Sequence, residues 1–162
     1  MDGTTPASTH AATQVRGESR LWRAILRGYL NGAPTALMAF IRRRSPSVLY
    51  EEFEVRGRRT GVVRRYFLGL YDVDGRWYAG HPNGTSQWLL NVLATGECTV
   101  TRRDGVPVRV AVHEVTDVAE RERAIRASAR QPAPTGLIYR AAQAHIRAVG
   151  RFVRLDPLGD AA

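Results

Sequence analysis

Gly57-Arg58-Arg59-Thr60-Gly61, with Arg64 and Arg65 just beyond, places four arginines and a hydroxyl within eight positions of a turn that has a glycine at each end. Guanidinium forks and the N–H groups of such a turn suit phosphate oxygens, through charge-assisted and bidentate hydrogen bonds. The same residues also read as a solvated basic hairpin tip. A second stretch, Asn83-Gly84-Thr85-Ser86-Gln87-Trp88, is a hydroxyl-rich loop opening a helix. A helix N-terminus attracts anions; the plainer reading is an N-cap at Thr85 or Ser86 with Trp88 in the core. Conventional catalytic sets are scarce. All 24 basic residues are arginine, so a Schiff-base or P-loop lysine is excluded. One cysteine, Cys98, allows neither an internal disulfide nor a thiolate-rich metal site, and no metal is expected. A reducing cytoplasm is the natural compartment. Glu51, Glu52 and Glu54 alternate across one strand and read as partners for the arginine excess, while His113 and His145 read as structural.

The elements that must position these residues follow from hydrophobic period. Trp22, Ile25, Leu26, Tyr29 and Leu30 form one helical stripe, with Arg20, Arg23 and Arg27 largely off it. Asn31 to Pro34 breaks that helix, and Thr35 to Ile41 reads as a second short one ending in Arg42-Arg43-Arg44. The period then becomes two from Leu49 to Arg56. Val62 to Val73 reads as one long strand with a bulge at Gly69, and Asp74-Gly75 turns it into a strand over Arg76 to Gly80. A helix over Gln87 to Ala94 follows, then a hairpin of Glu97 to Arg103 and Pro107 to Thr116. Helices over Val118 to Arg130 and Gly136 to Ala148 lead to a last strand, Arg151 to Leu155. Six strands joined largely by hairpins predict an α+β, mainly β fold: an antiparallel closed or split barrel with helices outside. The dinucleotide fingerprint is absent.

The chain has 162 residues and 18.0 kDa, room for one domain. The expected division is a disordered tail at 1–17, an amphipathic helical segment at 18–44, a barrel domain at 45–157 and a tail at 158–162. Its first residues lack the apolar core of a signal peptide, so export is not expected. The formal charge of +9 points to anionic partners. Nucleic acid is not among those expected, because the arginines are scattered and no recognition motif is present. The all-arginine usage also suggests a GC-rich genome.

GRRTG after a first strand, with Arg64 three residues on, resembles the GR[KR][ST]G…R signature of the deazaflavin (F420)-dependent nitroreductase family. WLLNVLATGECTV is similar to that family's W-x-x-N-L-x-A-x-P-x-V-x-V stretch, carried by Trp88, Asn91, Val92, Ala94 and Val100. Arg151 to Leu155 is similar to its closing strand. The resemblance implies a split β-barrel that uses F420H2 as hydride donor to a quinone, nitro compound or other electrophile. It further implies that Arg58, Arg59, Thr60, Gly61 and Arg64 hold the cofactor's phosphate and acidic tail. Ala79, Gly80 and His81 would lie by the ring, with Gln87 and Trp88 completing the pocket. Tyr139 is the implied proton donor, with His81 as the alternative. Phe67 stands where the family has proline, and the His81-Pro82-Asn83-Gly84 loop is shorter than the family's. FMN as cofactor, or a non-catalytic barrel holding another ligand, therefore stays open. The stripe at 19–44 leaves two readings: packing on the barrel or across a homodimer, or peripheral contact with the inner face of the cell membrane.

Overall fold

The computed structural model describes residues 17–31 and 50–159. The expected tail at 1–16, the Thr35 to Ile41 helix with its three arginines, and residues 160–162 lie outside them.

Helix α1 spans Arg20–Asn31 and is followed by strands β1 (Tyr50–Arg56), β2 (Val63–Gly69), β3 (Tyr71–Val73) and β4 (Arg76–His81). Then come α2 (Gln87–Thr95), β5 (Glu97–Thr101), β6 (Pro107–Glu114), α3 (Val118–Ser128), α4 (Thr135–Ala141), α5 (Gln143–Val149) and β7 (Arg151–Pro157). The strands form one antiparallel sheet in the order β2-β1-β5-β6-β7-β4-β3. Its two edge strands, β2 and β3, are consecutive in the chain and separated by Leu70 alone. One residue cannot span a flat seven-stranded sheet, so the sheet curls until its edges meet, which is the split barrel expected.

Seven strands replace the six expected, because the Val62–Val73 run breaks at Leu70 instead of bulging through Gly69. The chain is crowded at Gly69, next to the break. A side chain there would press on Tyr71 and on Gln131 Oε1, both 3.1 Å from an added Cβ. The helix expected over Gly136 to Ala148 is likewise two helices, α4 and α5, parted at Ala142. The hairpin at Asp74-Gly75 forms as expected. Both residues have positive φ, 55° and 78°, and Asp72 Oδ1 accepts from Gly75 N at 3.0 Å.

Two apolar cores result. Inside the barrel, Phe53, Val55, Val100, Val110 and Val153 pack against Trp88, Leu89 and Val92 from α2. Outside it, Tyr78 and Phe152 pack on Leu26, Ile125, Tyr139 and Ile146 from the surrounding helices. Cys98 sits in the inner core, where burial pushes its thiol up to about 12 and keeps it unreactive.

Helix α1 turns its stripe inward. Leu26 is fully buried and Trp22 packs beside it, whereas Ile25 and Leu21 face outward. Three hydrogen bonds pin the helix to the body. Ser19 N donates to His145 Nδ1, Asn83 Nδ2 donates to the Arg23 carbonyl, and Tyr29 Oη lies 2.6 Å from Thr135 Oγ1. The strand carboxylates pair as expected, with Arg65 3.0 Å from Glu54 and 3.4 Å from Glu52. No described helix is long and apolar enough to cross a membrane.

Candidate functional site

A cavity of about 810 Å³ lies between the two cores, large enough for a cofactor-sized ring system. Trp88 of the inner core and Tyr71 and Tyr139 of the outer one contribute to its wall. Of the residues singled out in the sequence, Gly80, His81, Gln87, Trp88 and Tyr139 line it. Ala79 does not: the alternation of β4 sends its side chain into the barrel core, fully buried.

The GRRTG turn is outside the wall but tied to it. Gly57 N bonds the Val62 carbonyl and Gly61 N the Gly57 carbonyl, closing the turn with Gly61 at φ 66°. Arg58 Nη1 then reaches α2, donating to Asn91 Oδ1 at 2.8 Å and to Gln87 Oε1 at 3.2 Å, while Arg58 N also donates to Asn91 Oδ1. Arg59 and Thr60 are exposed beside it. Arg64 lies opposite Val55 on the face that carries Tyr66 and Leu68 into the cavity wall. Arg65 takes the other face with Glu54. Arg58 therefore ties the turn to α2, with Arg59, Thr60 and Gly61 on the same turn and Arg64 on the strand that leaves it.

Ser86 occupies the N-cap position of α2, but its hydroxyl makes no cap hydrogen bond, against expectation. Its Oγ is buried with no partner among the described residues, and the residue lines the cavity. A buried hydroxyl left unpaired costs free energy that a polar ligand edge would recover.

Burial pushes His81 down to about 4, so the ring is neutral at ordinary pH. Asn83 N donates to His81 Nδ1 at 3.2 Å, which leaves the proton on Nε2. His81 is thus a hydrogen-bond donor, not an acid. Because the unfolded chain takes up this proton near 6.5 and the folded one only near 4, its contribution to stability is complete above the first value and lost as pH falls through the second. His81→Gln is expected to flatten the decline of Tm across that window, measured by thermal unfolding at stepped pH.

Tyr139 is held well above its usual pKa by burial and by the neighbouring phenols of Tyr71, Tyr50 and Tyr29. Its phenol makes no hydrogen bond among the described residues and stays protonated. Tyr29 and Tyr50 both meet Thr135 Oγ1, at 2.6 and 3.1 Å, and Gln131 Nε2 donates to Tyr71 Oη at 3.1 Å. Local spacing could not reveal this tyrosine cluster, since its bonds join residues 60 to 106 positions apart. His145 is structural, as expected: fully buried, with Nε2 2.8 Å from Asn83 Oδ1. His113 lies on the surface, 3.5 Å from Asp156.

No family model and no curated protein matches the sequence. Solved structures do match the fold. A structure described as an F420-H2 dependent reductase (FDR-A) superposes with a TM-score of 0.55 at 18% identity, over 67% of this chain and 94% of that one. This chain shares the split-barrel fold of that structure. A conserved hypothetical protein from Mycobacterium tuberculosis shares that fold with a TM-score of 0.54 at 14% identity, over 74% and 79% of the two chains. A structure described as a domain-swapped dimer does so with 0.54 at 15% identity, over 85% and 94%. The motif resemblance and the superpositions thus agree on the fold.

Proposed function

We propose that this chain is an F420H2-dependent oxidoreductase that passes a hydride from the reduced deazaflavin to a quinone, nitro compound or other electrophilic acceptor. The observation that carries this reading is the Arg58 bridge. It joins a turn built for phosphate to the helix whose first residues, Gln87 and Trp88, line the cavity. One molecule with an anionic tail and a planar ring would fill both. The orphaned Ser86 hydroxyl fits such a ring's polar edge.

Bound deazaflavin supplies the hydride. Arg58, Arg59, Thr60 and Arg64 hold the tail, with Gly61 letting the turn close. Gly80, His81, Gln87 and Trp88 bound the ring, and Ala79 contributes backbone alone. Tyr139 donates a hydrogen bond to the acceptor oxygen as charge develops there, and the Nε2–H of His81 can do the same. Phenolate at Tyr139 is opposed by its burial, so the phenol orients and stabilises more readily than it surrenders its proton.

Expected behaviour is oxidation of F420H2 with a quinone or nitro acceptor, followed as the return of deazaflavin absorbance, with no turnover when a nicotinamide is the donor. Binding of F420 without turnover of any acceptor in a broad panel would favour the second reading, a non-catalytic barrel holding F420, FMN or another ligand. That alternative draws on one observation: neither His81 nor Tyr139 is an acid at neutral pH. A homodimer fits the fold shared with a domain-swapped dimer. Any peripheral membrane contact through α1 would rest on its exposed Leu21 and Ile25.

A further inference from the structure

The cavity wall has a one-sided chemistry. Arg27, from α1, is the single permanent cation among the described residues that line it, and none of those residues is a carboxylate. Arg27 is exposed and makes no ion pair or hydrogen bond among the described residues.

The neutral groups lean the same way. Tyr71 Oη already accepts from Gln131 Nε2, so its own proton remains to be given. The Tyr139 hydroxyl has no hydrogen-bond partner among the described residues, and the proton of neutral His81 sits on Nε2, away from Asn83 N. Burial and mutual repulsion keep the Tyr71 and Tyr139 phenols protonated. Donors and a fixed positive charge thus face a space that offers no negative charge in return.

We infer that the acceptor this cavity takes is an acidic aromatic: a planar nitro-aromatic or quinoid ring bearing a carboxylate, with the acidic group on Arg27 and the ring oxygens among the Tyr71 and Tyr139 hydroxyls. This assignment rests on the reductase reading for the word acceptor. As a statement about binding it stands on the cavity wall alone. A guanidinium–carboxylate contact is charge-assisted and two-pronged, and a cation left without a partner at a cavity mouth is not otherwise used by the fold. The rival use of Arg27 is the acidic tail of the cofactor itself.

The test is equilibrium binding of 4-nitrobenzoate against nitrobenzene, read by quenching of tryptophan fluorescence, on the whole protein with and without saturating oxidised F420. Wild type should bind the carboxylate about tenfold more tightly than the neutral ring. Arg27→Gln should abolish that preference, Arg27→Lys should keep part of it, and added salt should erode it. Because Arg27 is exposed, its variants are expected to keep the wild-type Tm. Equal affinities for the two rings, no binding of 4-nitrobenzoate in either state, or a preference that survives Arg27→Gln would each overturn the inference. So would a loss of F420 affinity in Arg27→Gln with 4-nitrobenzoate binding unchanged, which would hand Arg27 to the cofactor tail. A carboxylate preference lost in Arg27→Gln, in a protein that binds no F420, would refute the reductase reading and leave the acidic-ring site standing.

Discussion

Gly136→Ala is expected to destabilise the protein by more than about 3 kcal/mol, beyond the usual range for an overpacked methyl group. A Cβ on Gly136 would fall 1.9 Å from the Gln131 carbonyl oxygen and 3.1 Å from that of Ala129. Both obstacles are backbone, so no rotamer change relieves them, and the 129–135 loop must move. That loop carries Gln131, which holds Tyr71, and Thr135, which joins Tyr29 to Tyr50. Lost stability and a disordered tyrosine cluster should therefore appear together. Chemical denaturation gives the first, and weakened ligand affinity in the fraction still folded gives the second. A Gly136→Ala protein with wild-type stability and ligand affinity would show that the loop does not frame the cavity as described.

The second large effect concerns the basic turn. Arg59→Ala should weaken F420 binding about tenfold to hundredfold, the loss of one charge-assisted contact worth ~1.5–3 kcal/mol. Stability should hardly change, because Arg59 is exposed and touches no partner among the described residues. Arg58→Ala should differ in kind. It removes the bonds to Asn91 Oδ1 and Gln87 Oε1, and Asn91 is buried. Affinity should fall as in Arg59→Ala, and stability should fall as well, by about 1 kcal/mol. Isothermal titration beside thermal unfolding separates the two variants. Unaltered F420 affinity in both would remove the turn from the site.

What the sequence disclosed follows a physical divide. Features set by neighbours along the chain were legible: the period-two strand ending at Arg56, the two positive-φ residues at Asp74-Gly75, and the apolar stripe of α1. The barrel also followed, because hairpins dictate antiparallel pairing before any long-range contact is known. Where long-range packing decided, local reading fell short. Gly69 suggested a bulge, but the strand ends there, where Tyr71 and Gln131 leave no room for a side chain. Ser86 has the right residue type and position for a cap, yet its hydroxyl is buried with no partner among the described residues.

The site divides along the same line. Gly80, His81, Gln87, Trp88 and Tyr139 were singled out and do line the cavity. Tyr29, Tyr50, Tyr71, Thr135 and Gln131 were not, because nothing in their own segments marks them as members of one cluster. Arg27 was read only as lying off the apolar stripe of its helix. Its place in the cavity wall became visible only once α1 was seen fastened at His145, Asn83 and Thr135.

The most direct measurement is a titration of the purified full-length protein with F420 and, in parallel, with FMN, each followed by its own fluorescence and by quenching of tryptophan fluorescence. The account predicts saturable one-to-one binding of F420, tighter than that of FMN and weakened by Arg59→Ala. No detectable binding of F420, or a preference for FMN that is indifferent to Arg59, would contradict it.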